Sequence, residues 1–532
     1  MSNGETVRRF HEQTENRLRR RTRARDVAAF APMDAGNKPV PFKRYRDVTL
    51  RRLPVDLPPS ALPAADVLAG RGRAEPVPVD CRLVAALLFF SGGVTRIVGH
   101  GQHRAYFRAA ASAGNLHPLE TYLVSGDLTG LDAGVYHFAP DVFGLELLRA
   151  GDHRSFLADA AADASVNTAP AILVITGIPW RTAWKYAERG WRHVHWDAGT
   201  MLANLLAVAE AHGIGVRLLF GFQDAALCRL LSVDGTAEFP VVVASLAAPA
   251  LVDSADSAEL PAPLEELALA TTPLSPAPIE FPLVTAAQRA GRFGDKERVR
   301  AWRESLDGNA RATSKVPDPT IHPPAGDPIE TVIRRRGSTR IMRHATVPAD
   351  LLSCAMACAT RPTPIDALPA GSTLLTHHLS IHAVDGYQPG FYRWADGELA
   401  LRRPTSRSLA RATAGHLCLD QALGADSAYT LFACADPDRS LGILGDRGYR
   451  LIQTEAGIVV GRLQLAAHAL GYGATGLTFY DAEVTVTFET PSVCMMACSV
   501  GVPAYQSVPG GTPGHPTELG SARRARPQHR RT

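Results

Sequence analysis

Several things are scarce in this chain of 532 residues. Eight cysteines are too few for a disulfide scaffold, and the default setting is a reducing cytosol with free thiols. No apolar run approaches the roughly 18 to 20 residues that span a bilayer, so no membrane-spanning helix and no membrane partner are expected. The opening MSNGETVRRF has no apolar segment of the kind a secretory signal needs. A charge excess of one sign is also missing. The formal +4 resolves into +5 over residues 1–25, +4 over 505–532 and −5 over everything between. An acidic body with basic ends is a poor nucleic-acid-binding surface. What remains is an ordinary globular composition, 46% hydrophobic and 20% charged, long enough for several domains.

Composition along the chain gives five segments: an Arg- and Pro-rich extension (1–65), a dense region (66–250), a linker rich in Ala, Pro and Ser (251–328), a second dense region (329–504) and a disordered basic tail (505–532). The extension carries an amphipathic helix pattern near Thr6 to Arg25, then loop-like PFKRY and LPPSALP. The two dense regions repeat one another. Arg189-Gly190-Trp191-Arg192 returns as Arg447-Gly448-Tyr449-Arg450, and Asp197-Ala198-Gly199 as Glu455-Ala456-Gly457, both 258 positions later. Gly134-Val135-Tyr136 returns as Gly390-Phe391-Tyr392. Landmarks kept in order at nearly one spacing indicate a duplicated unit. Each unit reads strand, long helix, strand: AILVITG, DAGTMLANLLAVAEAHGIG and VRLLFGF in the first, YTLFACA, EAGIVVGRLQLAAHALGYG and ATGLTFY in the second. Asp197 is the expected N-cap and Gly213 the expected left-handed end of the first helix. Helices apolar on most faces belong in a core or interface. The fold class is α+β, a mixed sheet flanked by helices, present twice.

Three elements carry chemistry, each with a plainer reading beside it. Arg336-Gly337-Ser338-Thr339-Arg340 offers two guanidinium forks around a hydroxyl, which suits a phosphate; it also reads as an ordinary Arg-rich turn. Ser112-Ala113-Gly114, before Asn115-Leu116-His117-Pro118, lets a flat ligand approach backbone N–H groups; it also reads as a turn. Lys185-Tyr186 pairs two groups able to move protons once burial shifts them; the plainer reading is a solvated, cationic helix start. The C-x₃-C pairs Cys354/Cys358 and Cys494/Cys498 suit small core residues better than zinc, so no metal is expected.

Taken together, SAGNLHPLETYLV, GVYHF, RTAWKYAERGWRHVHWDAG and GIGVRLLFGF make the chain resemble the SagB-type dehydrogenases, flavin-dependent members of the nitroreductase-like superfamily. RRRGSTR, GDRGYRLIQTEAG and GYGATGLTFYDAEV make the second region similar to another such domain. The resemblance spans roughly 400 residues. It implies FMN at a dimer interface, with Arg336, Ser338 and Arg340 matching the phosphate and ribityl contacts. Ser112, Ala113 and Gly114 match the element reaching over from the opposite unit, Leu477 and Thr478 lie near the ring, and Lys185 and Tyr186 match the catalytic pair. Each region lacks what the other keeps. The first has Gly70-Arg71-Gly72-Arg73 without the serine; the second has Ile443-Leu444 for Lys-Tyr and a stretch near Leu368–Ser372 for SAG. The expectation is an intrachain pseudo-dimer with one working FMN site. The resemblance implies oxidation of thiazolines or oxazolines to azoles in a ribosomally made peptide with a leader, beside a cyclodehydratase, in the cytoplasm and without nucleic acid. The alternatives are an NAD(P)H-dependent nitro or quinone reductase and a non-catalytic scaffold of a peptide-modifying complex.

Overall fold

The computed structural model describes residues 4–17, 33–72, 74–101, 104–247, 264–306 and 326–520. The first unit supplies β1 (Leu50–Arg52), β2 (Val94–Val98), β3 (Ala105–Arg108), β4 (Leu119–Ser125), β5 (Gly134–Ala139), β6 (Gly144–Ala150), β7 (Ala171–Gly177), β8 (Gly215–Leu219) and β9 (Phe239–Ala247). The second supplies β10 (Met342–Arg343), β11 (Leu375–Ile381), β12 (Gly390–Ala395), β13 (Glu398–Pro404), β14 (Tyr429–Ala435), β15 (Gly473–Leu477) and β16 (Val493–Pro503), and β17 (Thr517–Leu519) follows.

One sheet runs β1-β6-β5-β4-β7-β9-β8 and the other β10-β16-β14-β11-β12-β13, with β15 on the far side of β16. The core order of the first, β6-β5-β4-β7-β9-β8, is thus repeated in the second as β13-β12-β11-β14-β16-β15. The ladders agree residue for residue: Tyr122 faces His137 across β4 and β5, and His378 faces Arg393 across β11 and β12. β7 and β14 are buried along their whole length, as their unbroken apolar runs require.

The units meet through two long helices, Gly190–Ala211 and Pro437–Ala469. They cross where each carries glycine. A Cβ on Gly199 would stand 2.3 Å from the Thr454 carbonyl oxygen, and one on Gly457 2.6 Å from that of Trp196, so no larger residue fits at either point. Two ion-paired clusters flank the crossing. Asp481, after β15, receives Arg192 at 2.7 Å and Arg189 at 3.0 Å from the first unit. Asp224, after β8, receives Arg447 at 2.6 Å and Arg450 at 3.2 Å from the second. The same residues at the same repeat positions contact reciprocally, which is the signature of a two-fold interface.

Four expectations change. Asp197 is no N-cap, because the helix begins at Gly190 and buries Asp197 within its length. Arg189 and Arg192 are buried and paired rather than solvated. The last residues are not all disordered: 505–520 fold back, and β17 pairs in parallel with β2 in a three-stranded sheet with β3. That strand ties the end of the second unit onto the first, and apolar Leu519 beside Val98 is what a basic composition concealed. Residues 521–532 lie outside the described residues. PFKRY is irregular, as expected, and seats Lys43 in the first unit, where its ammonium meets Glu238 at 2.6 Å and Tyr122 Oη at 2.9 Å. The helix expected over Thr6 to Arg25 is described as Glu5–Gln13, and 18–32 lie outside the described residues.

Candidate active site

The loop before β4 is clamped to the first long helix. Ser112 Oγ donates to Asp197 Oδ2 at 2.5 Å, the Ala113 N–H donates to Oδ1 at 2.9 Å, and the His117 N–H donates to Ser112 Oγ at 2.9 Å. Burial pushes the Asp197 carboxyl up to about 7, with those two donors pulling the other way. Gly114 adopts φ +62°, and a Cβ there would stand 2.7 Å from Tyr186 Oη and 3.2 Å from Lys185 Nζ. The loop and the Lys-Tyr pair therefore share one small space, and only glycine leaves it open.

Lys185 and Tyr186 end the helix Pro179–Tyr186. Desolvation first, then Arg340 and Lys38, lower the Lys185 pKa from its ordinary value. Burial and the nearby Asp197 push Tyr186 up to about 12, against the pull of Arg340. Tyr186 is thus a protonated donor at neutral pH, while Lys185 is shifted toward acting as a base. Arg340 belongs to the second unit, so its effect on both groups places it across the interface from them. Arg336 also crosses: its Nη2 donates to the Ala109 carbonyl at 2.7 Å. Its guanidinium is buried without an acidic partner among the described residues, and Nε has no hydrogen-bond partner. Burial and Arg96 push it down to about 10. Ser338 is half-buried between them. Leu477 ends β15, and Thr478 Oγ1 accepts from Asn16 Nδ2 at 3.1 Å. The next ring, Phe479, lies under Arg189 and near Trp196 of the first unit.

The chain turns sharply after Tyr186. Ala187 has φ 46° and ψ −140°, and its repeat counterpart is Gly445, with φ 59° and ψ −159°. The backbone demand is the same, but the first unit meets it with a residue that is strained there by about 1–3 kcal/mol. Ala187→Gly should therefore stabilise the chain by about 1 kcal/mol and Gly445→Ala destabilise it by at least as much, read by denaturant unfolding. A destabilising Ala187→Gly would contradict the strain.

Sequence reasoning missed Asp197 as the anchor of the loop, His193 packed against Tyr186 with ring centroids 4.2 Å apart, and Asn16 and Asp481 bracketing Thr478. One signal was present: Asp197 and Glu455 hold the same repeat position. In the second unit Thr373 Oγ1 donates to Glu455 and the Leu374 N–H to its other oxygen at 3.2 Å, and burial pushes that carboxyl up to about 7 as well. The counterpart of Ser112-Ala113 is therefore Thr373-Leu374, one step beyond the expected Leu368–Ser372. Ile443 and Leu444 stand where Lys185 and Tyr186 do. Arg71, the counterpart of Arg336, is paired with Asp66 at 3.5 Å.

Residues 82–247 and 333–502 each match the model of the Nitroreductase family, so the chain belongs to that family and carries its domain twice. The match supports an oxidoreductase. A crystal structure of a putative nitroreductase from Anabaena variabilis overlays with a TM-score of 0.71, covering 94% of this chain and 99% of its own at 22% identity, which shows the tandem fold. The putative nitroreductase MJ1384 of Methanocaldococcus jannaschii is 29% identical over 167 residues, 31% of this chain and 79% of its own. The microcin B17-processing protein McbC of Escherichia coli is 27% identical over 142 residues, 26% of this chain and 52% of its own length. With two family domains and the McbC match, the resemblance to the SagB type is borne out. Among the described residues no helix is long and apolar enough to cross a membrane.

Proposed function

We propose that the chain is an FMN-dependent dehydrogenase that oxidises azolines to azoles in a ribosomally made peptide. The observation that carries the reading is that Gly114 lies against Lys185 and Tyr186 in one unit while Arg340 of the other acts on both and Arg336 reaches the Ala109 carbonyl ahead of the same loop. The residues fit the cofactor. A buried guanidinium without a counter-ion is costly, and a phosphate against Arg336, with Ser338 and Arg340 beside it, would supply the missing charge. Ser112, Ala113 and Gly114 would line the ring edge, and Leu477 and Thr478 its other side. FMN, when bound, would supply the two-electron acceptor that the oxidation of azoline to azole requires, with molecular oxygen as the terminal oxidant. Lys185 Nζ takes the Cα proton, and the downward shift of its pKa, from desolvation first and then Arg340 and Lys38, favours that role. Tyr186 Oη, held protonated, donates a hydrogen bond and fixes the ring of the substrate. McbC processes microcin B17, and a leader-bearing peptide with a cyclodehydratase partner is the setting we infer for this chain in the cytoplasm.

The test is conversion of a synthetic thiazoline- or oxazoline-containing peptide by the purified flavoprotein in air, followed by mass spectrometry. Loss of two hydrogens per ring without NAD(P)H is expected. Rapid NAD(P)H oxidation with no change in the azoline would replace this reading with a reductase.

A further inference from the structure

The first unit demonstrates how one face of this sheet is covered. Lys43-Arg44-Tyr45 lies across β4, β5 and β6 and is held by three carboxylates. Lys43 Nζ meets Glu238 at 2.6 Å, Arg44 Nε meets Glu146 at 2.7 Å, and the Lys43 and Tyr45 N–H groups donate to Glu120 and Glu146 at 3.3 and 3.2 Å. A basic strap thus sits on an acidic face, with the Tyr45 ring edge-on to His137.

The strand registers identify the same positions in the second unit. Glu120 becomes Thr376, Glu146 becomes Ala400 and Glu238 becomes Ser492, so all three carboxylates are gone. His137 becomes Arg393, and Leu148, at the bulge, becomes Arg402. The face has changed sign. Among the described residues no strap covers it, and a cleft of about 990 Å³ lies over it, with Thr376, His378, Arg393 and Arg402 in its wall and Arg439 at the side. Arg402 is exposed, and neither it nor Arg393 makes an ion pair among the described residues. The Arg393 Nε is buried with no hydrogen-bond partner. Three acids stand at the rim: Glu489 pairs with Arg403 at 3.5 Å, Asp436 caps its own helix, and Asp396 sits in the turn between β12 and β13, outnumbered by Arg393, Arg402, Arg403 and Arg439.

We propose that this cleft binds an extended acidic peptide segment in trans, laid across β11, β12 and β13 as Lys43–Tyr45 is laid across β4, β5 and β6, with the charges exchanged. A peptide rather than a nucleic acid is favoured because the occupant of the equivalent face is a peptide strap that uses its own backbone N–H groups. The chain's own candidates are weaker in charge: residues 307–325 carry two acids and two bases, and 248–263 carry only Asp253, Asp256 and Glu259. The assignment is independent of the flavin reading, since the cleft and its charge are the same whatever the first site oxidises.

The experiment is fluorescence anisotropy of the full chain with a fluorescein-labelled alternating Glu-Ser peptide, its Lys-Ser counterpart and a short poly-uridine. The Glu-Ser peptide should bind, weaken with salt, and lose about tenfold in affinity with Arg402→Glu, a change at an exposed position that leaves flavin content unchanged. The Lys-Ser peptide should not bind. Arg393→Gln is the second variant, expected to weaken the same peptide alone. Equal binding of the Glu-Ser peptide by wild type and Arg402→Glu, or of poly-uridine and the peptide, would overturn the proposal. So would binding that emerges only after Asp253→Asn, Asp256→Asn and Glu259→Gln together, which would assign the cleft to the chain's own segment.

Discussion

Asp481→Ala should cost about 3–5 kcal/mol in stability, because it leaves two buried guanidiniums without their anion. Arg189 and Arg192 both end on this carboxylate, and among the described residues neither forms an ion pair with a second acid. The loss extends further, since Asp481 Oδ2 also accepts from the Asn16 N–H at 2.8 Å, and Arg192 holds the His11 carbonyl and Thr14. The N-terminal helix Glu5–Gln13, whose Phe10 packs edge-on to Trp191 at 4.9 Å, would come loose with it. Asp224→Ala should cost a similar amount, because Arg447 and Arg450 depend on it in the same way. Denaturant unfolding of both variants checks this. The two differ in one respect. Asp481 is linked through Asn16 to Thr478, one of the proposed flavin contacts, so its loss should lower flavin retention at temperatures where the chain is folded, whereas Asp224→Ala should leave it intact. A cost below about 1 kcal/mol for either variant would mean that these arginines are hydrated rather than desolvated.

Lys185→Ala should lower turnover by about 10²–10⁴-fold with flavin retained, the usual cost of removing a positioned base. Arginine should not rescue it, because a guanidinium stays protonated. The pH profile carries the more specific expectation. In the proposed mechanism the reactive form is the neutral amine, so the rate should rise with pH, and desolvation together with Arg340 and Lys38 should bring that rise below the ordinary lysine range. Lys38→Ala removes one of those positive charges, which raises the Lys185 pKa and moves the rising limb to higher pH. Lys38 lies over the Trp184 ring, 5.7 Å from its centroid, and outside the pair itself, so a change in pH profile separates its electrostatic effect from a structural one. An unshifted limb in Lys38→Ala, or full azoline turnover in Lys185→Ala, would remove Lys185 from the base role.

The repeat was readable because the residues at the two-fold contact are constrained twice. Gly199 and Gly457 must be glycine for the helices to cross, and Arg189, Arg192, Arg447 and Arg450 must each find an acid across the interface. Those demands fix spacing, and spacing is visible in one sequence. The acids themselves were not recognised, because Asp224 and Asp481 become partners only when one unit's helix start meets the other unit's strand end. Asp197 was misassigned for a related reason: an acid ahead of an apolar helical run looks like a cap, and only the tertiary turn at Ala187 puts seven helical residues before it. The tail resisted reading because three residues of strand, Thr517–Leu519, are held by β2 rather than by any local propensity. The charge reversal between Glu120, Glu146, Glu238 and their counterparts needed the ladders, since the hairpin joining β12 and β13 is shorter than that joining β5 and β6.

The central claim is that two units build one working flavin site, with its phosphate grip from the second and its loop and Lys-Tyr pair from the first. Flavin absorbance against protein concentration measures it directly. One flavin per chain is expected, lost in Arg336→Ala and unchanged in Arg71→Ala. Two flavins per chain, or loss of flavin in Arg71→Ala with retention in Arg336→Ala, would contradict it.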